Sequence, residues 1–158
     1  MYSQKSLNIS LHQDFKLFAF GDKLGNNAGT LDLISRVKYE SKQQKIGYFV
    51  YGVEFEKANI NNHFYRYGGL VGYSFNKILN NTKLYLSPTI GYGAIKRNNV
   101  NCPSWSSSLQ AAYKLSKIIK ISSLFQFTER TDLYELHGLR EIRYSFFVGV
   151  EINLFKFN

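Results

Sequence analysis

Cysteine, tryptophan and methionine each occur once in this sequence, and proline twice. The lone Cys102 excludes an internal disulfide and reads as a spare surface thiol in a polar loop beside Pro103. Pro88 falls inside a strand-like segment, where it cannot donate a ladder hydrogen bond; a bulge or a shifted boundary would accommodate it. Long apolar runs are missing too: none approaches the roughly 18 residues of a transmembrane helix. Acidic residues are few, 11 against 20 Lys and Arg, for a net charge of +9. The excess is spread over proposed turns (Lys42, Lys45, Lys77, Lys83, Lys117) and forms no basic helix or known nucleic-acid motif, so no nucleic-acid partner is expected. The three histidines and one cysteine show no metal-ligand spacing, and no cofactor is expected. Met1-Tyr2-Ser3-Gln4 has neither the basic nor the apolar region of a secretory leader, so an exported reading requires a leader already removed.

What the chain has in quantity is aromatics, 12 Tyr and 13 Phe, making up 16% with the tryptophan, and a period of two. In residues 142–154, Ile142, Tyr144, Phe146, Val148, Val150, Ile152 and Leu154 share one face. Arg143, Ser145, Gly149, Glu151 and Asn153 share the other, where Phe147 is the single slip. Strict alternation marks a half-buried strand, and thirteen residues is roughly what a tilted strand needs to cross a bilayer. Seven further segments alternate: residues 7–18, 30–40, 47–56, 64–75, 83–95, 105–115 and 119–130. The connections at 41–45, 76–82 and 116–117 are compact, those at 22–29, 97–104 and 131–139 are longer, and 57–63 is intermediate. Short turns at one end and longer loops at the other are the habit of transmembrane barrels, and an even strand count puts both termini on the short-turn side.

A soluble ligand-binding barrel of lipocalin type would also alternate, with its apolar face inward. Its outer face should then be crowded with Lys and Glu. Here the polar face is mostly Gly, Ser, Thr and Gln, with Gly52, Gly68, Gly72, Gly91, Gly93 and Gly149 all on it. Small residues suit the narrow interior of eight strands. The bulky face is aromatic and nearly free of charge, as a lipid-facing band should be. The expected fold is all-β, a single domain forming an eight-stranded antiparallel up-and-down transmembrane β-barrel.

These features together resemble the OmpA/OmpX type of outer-membrane barrel over essentially the whole chain. Gly149, Ile152, Leu154, Phe155 and Phe157 resemble the C-terminal assembly signal of such barrels, with two departures: Asn158 follows the last aromatic, and Phe147 stands where a polar residue is common. The Tyr-, Asn- and Lys-rich composition is similar to that of Bacteroidetes barrels. The resemblance implies a bacterial outer-membrane location. The partners it implies are outer-membrane lipid, the barrel-assembly machinery and, as one alternative, another envelope protein.

The residues that could carry function fall into two groups. Asp32, Arg36, Lys38, Glu54, Glu56, Arg66, Lys114, Lys120, Arg143 and Glu151 should point into the lumen, where charges must pair or leave their desolvation uncompensated. They form either a plug or a narrow, selective ion path. Outer loops on a rigid scaffold are the usual place for binding; Asn98, Asn99, Tyr134 and His137 are the candidates there. A lipid-modifying enzyme is the third reading. None of His12, His63 or His137 lies in a His-x-Ser pattern, but His63 and His137 fall in outer loops, where a pair with a nucleophile could form. The expectation is a non-enzymatic structural or interaction protein.

Overall fold

A computed structural model describes residues 5–22, 25–60, 64–78 and 81–157, with the side chains of Lys77, His137 and Phe157 outside the described atoms. These residues form eight strands: β1 (Lys5–Asp14), β2 (Asp32–Glu40), β3 (Gly47–Ala58), β4 (Phe64–Ile78), β5 (Asn81–Arg97), β6 (Val100–Lys114), β7 (Ile119–Glu129) and β8 (Ile142–Phe157). Each pairs antiparallel with its neighbours in sequence, and β8 closes on β1. Closure removes the edges an open sheet would expose and satisfies the backbone within the sheet. Two short helices, α1 (Phe15–Ala19) and α2 (Thr131–His137), sit at the end opposite the termini.

The alternation resolves into an inside and an outside. Along β8, Tyr144, Phe146, Val148 and Val150 are exposed on the outer surface, while Phe147 and Glu151 are buried. The outer surface elsewhere carries Phe49, Tyr51, Val53, Phe55, Val71, Ile90, Tyr92, Trp105, Leu109 and Phe125, all exposed. Exposed apolar surface on this scale is foreign to a soluble monomer and belongs against hydrocarbon. The lumen holds the polar side chains and three apolar patches, Ile34–Leu124–Phe147, Tyr48–Val50–Leu70 and Ala58–Phe64–Ile95. Phe147 is the apparent slip in the pattern: it faces inward because two other lumen positions are also apolar.

Several boundaries differ from those the sequence suggests. The first strand stops at Asp14 rather than running to Phe18, because the Asp14 side chain accepts from the Leu17 amide at 2.9 Å and caps α1. The stretch 97–104 is not a long loop. β5 runs to Arg97 and β6 starts at Val100, joined by a two-residue turn at Asn98-Asn99. Cys102 is therefore a buried strand residue, not a loop thiol. β4 and β5 likewise extend to Ile78 and from Asn81, shortening the turn expected at 76–82. Pro88 sits in register opposite Leu109 of β6, without a bulge. Its missing N–H instead faces β4, where pairing lapses at Tyr73 and Ser74 and resumes in the same register at Phe75. A bond from Ser87 Oγ to Ser74 Oγ, 2.8 Å, spans the lapse.

Asn98 is the one described non-glycine residue at positive φ, +52°. Asparagine tolerates the left-handed region that a β-branched residue does not. Asn98→Val is expected to lose roughly 1–2 kcal/mol, and Asn98→Gly to stay close to the parent; urea midpoints of the folded barrel check both.

Candidate functional site

The lumen is organised in layers of charge along the barrel axis. In the middle layer Glu54 is clamped by Arg36 from the neighbouring β2 and by Arg66 from β4. The Gln126 amide donates to the same carboxylate at 2.9 Å. Arg36 and Arg66 reach across the lumen to Ser108 (3.0 Å) and Ser106 (2.6 Å) on β6. Gly91 makes that reach possible, since a Cβ there would stand 2.6 Å from Ser106 Oγ and 3.5 Å from an Arg66 guanidinium nitrogen.

Toward the termini, Glu151 accepts from Lys38, from Lys120 at 2.7 Å and from Gln110 at 3.0 Å. Lys38 also donates to Gln110 Oε1, at 2.9 Å. Lys120 in turn contacts Glu40 at 3.4 Å and stands 4.7 Å from the centre of the Tyr85 ring. Toward the loops, Arg143 is paired with Asp32, with Glu56 at 3.0 Å and with Asp14 at 3.6 Å. Above it lies a fully buried apolar plug, Ala58–Phe64–Ile95. The guanidinium carbons of Arg130 and Arg143 stand 4.8 and 5.7 Å from the Phe64 ring centre.

At the loop end α2 packs on β6 and β5. Asp132 at its start accepts two 2.7 Å bonds from Arg130 and one of 3.4 Å from Arg97. Thr131 Oγ1 donates to the Pro103 carbonyl at 2.5 Å, and Gly138 ends the helix in the left-handed conformation. Across the described network the cations Arg36, Lys38, Arg66, Arg97, Lys120, Arg130 and Arg143 equal in number the anions Asp14, Asp32, Glu40, Glu54, Glu56, Asp132 and Glu151.

Burial alone would raise the Asp132 carboxyl, but the hydrogen bonds and charges of Arg130, then Arg97, outweigh it and hold it below the usual aspartate range. A depressed folded-state value makes the ionised form the stabilising one. The cap should therefore be firm above the unfolded aspartate value, near 4, and loosen as pH falls through the lower folded value. Amide exchange in α2 is expected to quicken over that acid range, and Asp132→Asn to abolish the dependence.

Of the sequence-derived lumen set, Asp32, Arg36, Lys38, Glu54, Glu56, Arg66, Lys120, Arg143 and Glu151 come together in these layers, while Lys114 lies at the terminus-end mouth. Asp14, Glu40, Arg97, Arg130 and Asp132 complete the network and were not in that set. His12 is buried in the lumen, its Nε2 2.7 Å from Ser122 Oγ and its Nδ1 without a hydrogen-bond partner. This Ser/His contact is enclosed by the barrel wall. His63 lies outside the described residues, as does the side chain of His137. Among the described residues, no group of three or more His, Cys, Asp or Glu is placed to hold a metal ion.

The outer-loop candidates separate. Asn98 and Asn99 form the β5–β6 turn. Tyr134 is half exposed on α2, with Arg140 5.4 Å from its ring centre, beside a cleft lined by Glu129, Arg130, Thr131, Glu141 and Ile142. Of the assembly-signal residues, Gly149 lies at the β1–β8 seam, where a Cβ would stand 2.6 Å from His12 Cα. Leu154 and Phe155 are both exposed, because pairing shifts by one residue between Leu7 and Asn8 of β1 and flips the faces beyond that point.

The backbone has known counterparts. It superposes on Ail, the attachment invasion locus protein of Yersinia pestis, with a TM-score of 0.59 at 12% identity, over 99% of this chain and 100% of that one. Neisserial surface protein A matches with a TM-score of 0.56 at 8% identity, over 96% and 97% of the two chains. The chain has the fold of a small outer-membrane β-barrel. A de novo designed transmembrane β-barrel matches it as well, at TM-score 0.52 and 13% identity over 98% and 100% of the chains. Since a designed sequence reaches the same shape, the shape alone carries no particular activity. No protein-family model and no curated protein matches the sequence.

Proposed function

We propose that this chain is an integral protein of a bacterial outer membrane that acts through its loop end, as a contact surface for a partner, and does not conduct through its lumen. The observation that carries the reading is the charge network. It spans the barrel from Glu151 to Asp132 with cations and anions equal in number, and the Arg130 guanidinium, just before α2, lies over the Phe64 ring of the plug. A selective path needs mobile, solvated charges; these are buried and paired. The face left for function is the loop end, where Tyr134, Leu139 and Ile142 are exposed around the α2 cleft. Ail is named for attachment and invasion, and a rigid barrel presenting a folded cap suits such a role. Lipid is the solvent of the outer face, and the barrel-assembly machinery is the partner for insertion.

The test has two readings on one preparation. In planar bilayers the folded protein should give no conductance steps, and regular steps would overturn the closed lumen. A non-adherent strain displaying the protein should gain adherence to cells or matrix. The variant Tyr134→Ala, Leu139→Ala, Arg140→Ala should lose it at equal surface abundance. Adherence unchanged by that variant, or never gained, would remove the cap from the reading.

A further inference from the structure

The charge balance of the lumen breaks at one place, the mouth at the terminus end. There a polar cavity of about 190 Å³ opens between the β2–β3 and β6–β7 turns and the end of β8. Lys114, Lys117 and Lys156 line it, and none has an acidic partner among the described residues. The one carboxylate in the lining, Glu40, is already engaged: it pairs with Lys120 and accepts from Ser6 Oγ at 2.5 Å and Tyr48 OH at 3.2 Å. Ser116 Oγ accepts from the Ile118 and Ile119 amides (3.2 and 3.0 Å), which leaves its hydroxyl hydrogen for a ligand.

The two ends of the barrel differ in the same sense. Among the described residues, the loop-end charges outside the network are equal in number, with Lys16, Lys57, Lys96 and Arg140 against Asp22, Glu129, Glu135 and Glu141. At the terminus end Lys5, Lys42, Lys45 and Lys83 add to the three mouth lysines, with no described acid outside the network to offset them. Converging cations in a recess raise the local potential for anions well above that of scattered surface charge. Three ammonium groups and a hydroxyl offer donors only, which selects an oxyanion. The cavity also far exceeds the ~15 Å³ that admits one water.

We infer that this mouth is a binding site for a phosphate-type anion, held by Lys114, Lys117 and Lys156. The group could be a free phosphate of the compartment the mouth faces or the headgroup of an anionic phospholipid in the adjoining leaflet; the chemistry is shared.

Amide and lysine side-chain NMR shifts of the barrel in maltoside micelles test the site, with inorganic pyrophosphate titrated at constant ionic strength. The expected result is a saturable shift confined to residues 114–120 and 153–156. The variant Lys114→Gln, Lys117→Gln, Lys156→Gln should weaken it on the order of tenfold or more, as lost charge-assisted hydrogen bonds imply. Lys57→Gln, Lys96→Gln at the other end should leave it intact. A second arm compares nanodiscs of phosphatidylcholine with and without phosphatidylglycerol. Shifts at the mouth on adding the anionic lipid, removed by the triple variant, assign the site to headgroups. Saturation by pyrophosphate alone assigns it to a soluble phosphate. No saturable shift in either arm, or shifts that survive the triple variant, would overturn the site.

Discussion

Replacing Glu54 by alanine is expected to cost the folded barrel on the order of 3–5 kcal/mol, the range for stranding a buried charge by removing its partner. The figure is large because one carboxylate serves two guanidinium groups. Arg36 and Arg66 are both about 1% exposed, and among the described residues each forms its ion pair with Glu54. Their remaining bonds, to Ser108 and Ser106, are to neutral hydroxyls that stabilise a cation far less. With a urea slope of about 1–3 kcal/mol per molar, the midpoint should drop by at least about 1 M. The shift in gel mobility between folded and unfolded barrel reads it directly. A companion variant separates charge from packing. Glu54→Leu, Arg36→Met, Arg66→Met removes all three charges at similar volume, and such replacements are often neutral or stabilising. It should recover most of the loss. A Glu54→Ala barrel as stable as the parent would mean that the middle layer is solvated enough to shed its charges, and the closed lumen would fall with it.

The pleat makes much of this layer legible in the sequence. Side chains two apart share a face, so Asp32, Arg36 and Lys38 are assigned together, and closing the sheet gathers the polar faces of all strands onto one axis. Glu40 has the same parity on β2 and could have been added by the same rule. Asp14 shares the parity of Ser10 and His12, but it ends its strand as a helix cap, and the alternation of Phe15 and Leu17 beyond it imitates two more strand residues. Five residues are too few to tell a helix from a strand by period. Around Cys102 the failure has another cause. Asn101 and Pro103 point out while Cys102 and Ser104 point in; neither face is apolar, so the period of two leaves no trace although the backbone is paired. The cap was beyond reach altogether. Arg130 and Asp132 lie outside the strands, and their pairing with Arg97 depends on how α2 folds back over β5 and β6.

Arg143→Ala should be the second severe variant, and pH tells its mechanism. Arg143 is the cation that holds Asp32, Glu56 and Asp14 together, so four elements (β8, β2, β3 and the cap of α1) meet on one guanidinium. Its loss leaves mutually repelling carboxylates in a narrow lumen, again on the order of 3–5 kcal/mol. Lysine at this position should recover only part, since an ammonium cannot present the planar fork that reaches two carboxylates at once. The sign of the pH effect is fixed by which state suffers from charge. In the variant the folded state gathers the repelling anions and the unfolded state disperses them. Protonating the carboxylates therefore relieves the folded state, and stability relative to the parent should rise as pH falls from 7 toward 4. The parent gains less there, because protonation also removes the attraction of the carboxylates to Arg143. Urea midpoints of both proteins at pH 7 and pH 4 decide the matter. A gap that narrows in acid assigns the effect to stranded charge. A gap of the same size at both pH values would assign it to the lost contact of the Arg143 side chain with the Phe64 ring, 5.7 Å from its guanidinium carbon, and would make the upper layer a packing device.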